Sequence, residues 1–553
     1  MIILGLTAPL SHNTAASIII DGKLIAFAEE ERFTGVKHAP RYVPKKAIDY
    51  CLKEAGLVFE DIDYVSFGYD SVFKGAIKNF MQNIKEGNYK RSVLEIGSYA
   101  EYFLQMYRQT RYFEEISSLS KKEIEKKYKF IEHHTAHAAS AFRCSGYVES
   151  NVISLDGVGE SESGVLGYYK NNKFTKLKSI SINQSLGWFY SLITHVCGFT
   201  PHSHEGKTMG LAPLGKPDMS MLDGLVRLTD DGYIIEKDFD KKLFAKYKVR
   251  KKYDEINDMY KNLAATGQYF LEEAAKNLSK FLYKQTGIKN LCLAGGVTLN
   301  CDMNFKLSLQ DFVENIYIQA AANDAGTAIG GAFELYANIT NKSTPKLDHV
   351  FYGPSYSNDE IEAILKESKL SYKKISSLKE VAKLIHDGHI IGFVQGRMEF
   401  GPRALGGRSI LANPAILDMK EKINKEIKHR ENWRPFAPSV LEEYAHEWFV
   451  DYTESPYMLM TFDVQPNKAE LIPSVVHVDN TSRVQGVTKD ANPKYYELIN
   501  EFYKLSGVPM LLDTSFNDAE KPISLTPQDA IRTFYSTGLD YLVLEDFLLS
   551  KDK

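Results

Sequence analysis

Apolar positions along this chain fall in short blocks broken by polar, glycine-containing stretches. Residues 2–6 are an uninterrupted apolar run of strand length. Ser11-His12-Asn13-Thr14 separates them from two further runs, 16–20 and 24–28, joined by Asp21-Gly22. Asp-Gly between two apolar runs predicts a hairpin, because both residues tolerate the positive φ of a tight turn. Pro44 and Gly56 bracket a helix, and 64–68 return as a strand. About 150 residues later the pattern recurs. A strand at 152–155 enters Asp156-Gly157-Val158-Gly159-Glu160, read as a glycine-rich loop, and 165–169 with 174–180 form a hairpin about Asn171-Asn172. Two copies of one strand–loop–hairpin unit predict a duplicated α/β domain with a cleft between its halves.

Residues 78–129 are charged and tyrosine-rich and read as a helical insertion. An amphipathic helix spans 265–285, a strand at 291–297 runs into glycines, and a strand at 315–321 ends in Ala322-Asn323-Asp324-Ala325-Gly326. Small residues from 326 to 336 predict a helix suited to close packing. The polar stretch 338–348 marks a boundary, giving domains 1–345 and 346–553. The second reads as α/β, with helices at 358–368, 378–387 and 527–535 and strands at 373–375, 390–394, 509–512 and 541–544.

A chain of 553 residues exceeds one hydrophobic core. Its net charge of −4 gives no general attraction to nucleic acid or anionic membrane, so neither is expected as a partner. No run approaches a membrane span, and the apolar start lacks the basic flank of a signal peptide. The five cysteines (51, 144, 197, 292 and 301) form no close pair and read as reduced thiols, so a cytoplasmic protein is expected.

The densest chemistry is His133-His134-Thr135-Ala136-His137. On a helix, His133 and His137 lie one turn apart on one face, a half-site for a transition metal. Asp156 and Asp324 each follow an apolar strand, and in a duplicated fold such loops face one another. Two imidazoles and two carboxylates suit Fe(II), Zn(II) or Mn(II) better than all-oxygen cations. His12 is a candidate general base. Lys37-His38, after Glu29-Glu30-Glu31-Arg32, would meet an anion or polar acceptor, with a solvated charge run as the equal alternative. Gly295-Gly296 would let backbone amides approach a nucleotide, and Glu205-Gly206-Lys207, read as a loop, sets a lysine beside a glutamate.

The second domain places Arg397, Arg403 and Arg408 among glycines and apolar residues, followed by Lys428, Arg434 and Arg483. Guanidiniums in apolar sequence are costly without a compensating anion, and their planar fork fits phosphate and carboxylate. This predicts a polyanion pocket for ATP and a small phosphate ester. The competing assignment is structural ion pairing of several of these arginines.

In chain order these motifs, continued by Asn300, Gly401-Pro402-Arg403-Ala404-Leu405-Gly406, Arg434-Pro435-Phe436-Ala437-Pro438 and Thr514-Ser515-Phe516-Asn517, resemble the ATP-dependent O-carbamoyltransferase family of natural-product and nodulation-factor biosynthesis. The resemblance implies an actin–hexokinase-superfamily domain followed by a YrdC-like domain. It implies that carbamoyl phosphate and Mg²⁺-ATP yield carbamoyl-adenylate and pyrophosphate, and that a hydroxyl of a small-molecule acceptor then takes the carbamoyl group. Arg403, Lys428, Arg434, Arg483 and Asp513 would hold carbamoyl phosphate and ATP. Glu205, Lys207, Gly295, Gly296 and Asn300 would hold the adenylate. His133, His137, Asp156 and Asp324 would hold the metal, Fe²⁺ by resemblance, with His12 as base and Lys37 near the acceptor. A homodimer is compatible with this scheme. Asn13, Gly407 and Asp513 depart from the residues common in the family, which are aspartate, asparagine and asparagine. Threonylcarbamoyl transfer to tRNA and a non-catalytic nucleotide-binding regulator are the alternatives on the same fold.

Overall fold

The computed structural model describes residues 1–70, 89–518 and 521–551. By contact they divide into two units, Met1–Thr34 with His38–Leu347, and Gly35–Lys37 with Asp348–Lys553.

The first unit holds two five-stranded sheets. One contains β1 (Ile2–Leu6), β2 (Ala15–Ile20), β3 (Lys23–Glu29), β4 (Tyr64–Phe67) and β5 (Tyr128–Phe130), in the order β3-β2-β1-β4-β5. The other contains β6 (Ser150–Gly159), β7 (Glu162–Lys170) and β8 (Lys173–Ser181). After a separate hairpin of β9 (Val226–Thr229) and β10 (Gly232–Ile235) it adds β11 (Asn290–Ala294) and β12 (Asn315–Ile318), in the order β12-β11-β6-β7-β8. In both, the first three strands form an antiparallel meander, the fourth joins the first in parallel and the fifth joins the fourth in parallel. The sheets therefore share one topology, and the duplicated α/β fold expected from the hairpins is present. Their turns are the expected ones: Asp21, Asn171 and Asn172 all adopt positive φ.

Between the sheets' strands run the helices that carry the chemistry. His133–Ser145 and Gly326–Thr340 pack closely because the second is built of small residues. A Cβ on Gly330 would sit 1.9 Å from the Ala136 carbonyl oxygen. A Cβ on Gly5 of β1 would sit 2.0 Å from the Ala328 carbonyl oxygen. Buried Arg143 and Glu334 tie the two helices (3.0 Å), and the Tyr169 hydroxyl donates to the same carboxylate (2.9 Å).

Several expectations need correction. β6 does not end before Asp156 but runs on to Gly159, with a register shift between Leu155 and Gly159. The backbone bulges there without leaving the sheet. Glu205–Leu211 is a helix rather than a loop, its glycines masking a buried Thr208–Leu211 face. The strand expected at 315–321 stops at Ile318, where its one neighbour β11 also finishes. The helix after it continues to Thr340, four residues past the expected end, and Asn341 closes it at positive φ. Residues 78–88 of the expected insertion lie outside the described residues; the rest contains helices Tyr89–Ile116 and Lys121–Lys127 and then β5.

The second unit is also α/β. Its strands are β13 (Lys373–Lys374), β14 (Ile391–Val394), β15 (Arg408–Ala412), β16 (Ala437–Leu441), β17 (Thr461–Asp463), β18 (Thr481–Arg483), β19 (Gln485–Val487), β20 (Met510–Ser515), β21 (Tyr541–Leu544) and β22 (Phe547–Ser550). Eight form a mixed sheet in the order β13-β22-β21-β14-β15-β20-β16-β19, and β17 pairs with β18. Helices Asn358–Glu367, Leu378–His386 and Pro527–Ser536 match the periodic stretches read from sequence. β15 and β16 were not legible as strands because they open on Arg408 and contain Pro438.

Candidate functional site

His133 and His137 open their helix and point one ring nitrogen each at the other, Nε2 to Nε2 at 3.1 Å. Asp156 Oδ2, from the bulge in β6, lies 3.4 and 3.3 Å from the same two nitrogens. Asp324 Oδ1, just before the helix Gly326–Thr340, lies 3.8 and 3.7 Å from them. All four donor atoms fall within 4.8 Å of one another. Gly159 permits this packing, since a Cβ there would meet the His133 ring at 2.0 Å.

The donor set fits a transition metal ion. Four ligands about 2.1 Å from a tetrahedral centre stand about 3.4 Å apart, within the span of 3.1 to 4.8 Å that the donor atoms show here. The charge balance argues the same way. Burial opposes a charge on His133, yet the hydrogen bond to Asp156 and the fields of Asp324 and Asp156 raise it to about 9. Burial pushes the Asp156 carboxyl up, but the two imidazoles hold it well below the usual carboxylate range. Two half-buried carboxylates thus favour a positive charge between them, and a proton on the imidazoles answers that when no metal does. His134 takes no part. Its ring bonds the Ser154 hydroxyl (3.0 Å) and the Glu162 carbonyl (3.2 Å), and burial beside His133 and His137 lowers it to about 3.

His12 sits in the loop between β1 and β2 with its ring exposed and its backbone N–H donating to Asp324 Oδ2 (3.0 Å). The structure thus brings His12 to the cluster. Asn13 stands between two imidazoles, its Oδ1 3.3 Å from His12 Nδ1 and its Nδ2 2.9 Å from His38 Nδ1. The two rings lie 4.5 Å apart. An amide offers one donor end and one acceptor end, so the carbonyl end of Asn13 faces His12 Nδ1 as acceptor and its NH2 faces His38 Nδ1 as donor. Glu29-Glu30-Glu31-Arg32 is buried, not a solvated charge run. Arg32 pairs with Glu29 (2.6 Å) and Glu31 (2.8 Å). Glu30 accepts the Ala47 N–H (2.8 Å) at the start of the helix Lys45–Ala55, and burial raises it to about 7. Lys37 is exposed.

The residues expected to hold an adenylate divide. Gly295 turns at positive φ, and a Cβ on Gly296 would stand 3.0 Å from Asp156 Oδ1, so this turn lies against the donor cluster. Glu205 accepts from the Ser191 hydroxyl (2.5 Å) and the His202 N–H (2.6 Å), and Lys207 Nζ stands 5.7 Å from the Phe199 ring centroid. Asn300 is engaged elsewhere. It caps the helix Cys301–Ser308 through the Met303 N–H (2.9 Å) and exchanges two hydrogen bonds with Gln268.

In the second unit the arginines also divide. Arg408 is buried with its guanidinium on the carbonyls of Gln395, Gly396, Gly407 and Pro354, and Arg397 donates to those of Tyr352 and Gly353. Both guanidiniums are thus engaged by backbone carbonyls. Glu399 receives the N–H groups of Leu405, Gly407 and Arg408, and a Cβ on Gly407 would meet its carboxylate at 2.4 Å, which accounts for glycine there. Arg403 is half-buried in the same loop.

Lys428 is buried and donates to the Ser515 carbonyl (2.5 Å), the Asn517 carbonyl (3.1 Å) and Asn517 Oδ1 (2.8 Å). Its amino group is thereby tied to the Thr514-Ser515-Phe516-Asn517 segment, and burial holds it well below the usual lysine range. Beside it, Arg430, Arg434 and Arg483 share one electrostatic neighbourhood. Burial and the other two guanidiniums hold Arg430 well below the usual arginine range, and burial lowers Arg434. Sequence reading passed over Arg430. The only signal was its place in the run Lys428-His429-Arg430, with Phe436 downstream, over which it stacks at 4.7 Å. Asp513, expected at a ligand, is instead buried in β20, bonded to Ser439 (3.0 Å) and Tyr495 (3.1 Å), with burial raising it to about 8.

The chain matches the family model described as carbamoyltransferase N-terminus over residues 2–333 and the one described as carbamoyltransferase C-terminus over residues 382–551. It is 36% identical to the nodulation protein NolNO of Sinorhizobium fredii over 98% of this chain and 79% of that protein. It is 38% identical to the nodulation protein NolO of Bradyrhizobium diazoefficiens over 76% of this chain and 79% of that one. An uncharacterized Synechocystis protein, sll1178, is 36% identical over 99% of this chain and 96% of its own length. Among solved structures, full-length HypF in its phosphate- and nucleotide-bound form is similar at TM-score 0.36 and 13% identity, over 62% of this chain and 56% of that one.

Proposed function

The chain belongs to the carbamoyltransferase family, and from that premise we propose that it is an O-carbamoyltransferase working through carbamoyl-adenylate. The observation that carries the reading is the separation of two unlike sites, an imidazole–carboxylate cluster beside His12 in the first unit and a guanidinium cluster in the second. A carbamoyl phosphate and an ATP are polyanions, and Arg434 and Arg483, with Arg430 in the same electrostatic neighbourhood, offer planar donors for them; Arg403 is assigned to the same anions. There water cleaves the carbamoyl–phosphate bond to give carbamate and inorganic phosphate, a carbamate oxygen then attacks the α-phosphorus of ATP, and pyrophosphate leaves as carbamoyl-adenylate forms.

In the first unit the acceptor hydroxyl oxygen attacks the carbamoyl carbon, and the bond to the adenylate oxygen breaks, releasing AMP. His12 takes the hydroxyl proton; its exposed ring stands where an incoming acceptor can reach it. Asn13 orients that ring. His133, His137, Asp156 and Asp324 would hold a divalent transition ion, Fe²⁺ by family resemblance. Such an ion supplies positive charge that polarises a carbonyl or offsets phosphate. Lys37 is assigned to the acceptor side and Mg²⁺ to ATP.

The test is pyrophosphate release from ATP with carbamoyl phosphate and Mg²⁺, without acceptor. Release that depends on carbamoyl phosphate is the expected result. No release at any metal condition removes the adenylate mechanism. The acceptor is sought by a mass gain of one carbamoyl group across hydroxylated sugars and polyketide-like compounds.

A further inference from the structure

The two carboxylates of the donor cluster are anchored in different ways. Asp156 turns Oδ2 to the imidazoles and Oδ1 to the N–H of Gly157, its own neighbour, at 2.7 Å. Asp324 turns Oδ1 to the imidazoles at 3.7 and 3.8 Å, and its Oδ2 accepts the Ser11 hydroxyl at 2.8 Å and the His12 N–H at 3.0 Å. Those donors are 313 and 312 residues away in the chain, on the β1–β2 loop. Ser11 is buried and folds that loop, its Oγ accepting the Asn13 N–H (3.2 Å) and lying 2.9 Å from the Asn13 carbonyl oxygen. The His12 ring itself is exposed.

We infer that Asp324 couples the metal-holding cluster to the transfer base, with Ser11 as the positioning residue that makes the coupling two-pronged. The inference rests on the metal role proposed above for the cluster. A carboxylate is a rigid plane, so any turn that brings Oδ1 to a cation carries Oδ2 with it. The Ser11 hydroxyl and the His12 amide follow Oδ2, and the imidazole of His12 is placed by the loop they fix. Hydrogen bonds on the outer oxygen orient the inner one in return, as outer partners of metal ligands generally do. The effect is reciprocal: what the ion gives the loop in order, the loop gives the ion in affinity. Asp156 cannot act this way because its second oxygen closes on the adjacent residue.

The experiment uses the full chain with Co²⁺ alone as the probe. Visible absorption reports binding, and amide hydrogen exchange over residues 8–14 reports the loop. Saturating Co²⁺ is expected to slow exchange of the His12 amide by about tenfold. Ser11→Ala is expected to weaken Co²⁺ binding by about tenfold and to abolish the slowing, and Ser11→Thr, which keeps the hydroxyl, to restore both. Wild-type Co²⁺ affinity in Ser11→Ala overturns the inference. So does a saturated wild-type spectrum with unchanged loop exchange, an outcome that leaves the metal centre standing. Absence of any Co²⁺ spectrum in the wild type removes the metal centre and this coupling together. The wild-type arm needs no variant, so a misfolded Ser11→Ala does not spare the inference.

Discussion

Asp513 shows how one side chain's burial decides its chemistry. The family resemblance sets it among the residues that would hold carbamoyl phosphate and ATP; in the fold it is sealed in β20 against Ser439 and Tyr495 and held up at about 8. An unfolded aspartate titrates near 3.9. Between about pH 4 and pH 8 the unfolded chain has therefore lost a proton that the folded chain keeps, so folding stability falls as pH rises through that window. Asp513→Asn has no such proton. The variant is expected to gain on the wild type in urea midpoint from pH 5 to pH 8, and the gain to level off above that. A midpoint difference independent of pH contradicts the assignment. The cluster residues behave oppositely to Asp513: His133, His137, Asp156 and Asp324 were legible because their residue types are metal ligands at recognisable spacings, and the fold has only to bring them together. Arg430 was not legible, since a cation in a charge run looks solvated until Phe436 covers it.

Two helices set the cluster, and their contact is made by absent side chains. Gly330 lets the helix Gly326–Thr340 approach the helix His133–Ser145 so that Ala136 O stands 1.9 Å from where a Cβ would be. Gly330→Ala must push the helices apart or distort one, a change of the overpacking kind worth about 3 kcal/mol. Because one helix carries the histidines and the other follows Asp324, the same substitution is expected to weaken Co²⁺ binding. Denaturant melts and a Co²⁺ titration check both; a stable variant with unchanged affinity shows that the spacing is not set there. At this scale the sequence was read well where periodicity was regular and poorly where glycine intervened. Glu205–Leu211 does not read as a helix, and the bulge that carries Asp156 reads as a loop, because glycine weakens local signals that tertiary packing then overrides.

At the scale of the molecule, the proposed function assigns one half-reaction to each unit, and the half-reactions are then expected to separate. Arg434→Ala is expected to lower carbamoyl-phosphate-dependent pyrophosphate release by at least about a hundredfold while leaving transfer from supplied carbamoyl-adenylate intact. His12→Ala is expected to do the reverse, with pyrophosphate release retained and acceptor carbamoylation lost. Release is followed by a coupled pyrophosphate assay and transfer by mass spectrometry. If either variant abolishes both half-reactions, the division of labour between the units is wrong.

The sequence alone determined the repeated strand–hairpin pattern, the small-residue helix and the residue types of the cluster. Those follow from local rules: alternation and period, turn residues that accept positive φ, and the ligand chemistry of imidazole and carboxylate. Only the tertiary structure decided which arginines face inward on carbonyls, that Lys428 directs its protons to Ser515 and Asn517, and that Asp513 keeps its proton. Those depend on desolvation and on partners far apart in the chain. The bond from His12 to Asp324 belongs with them, for it joins residues 312 positions apart that no local pattern connects.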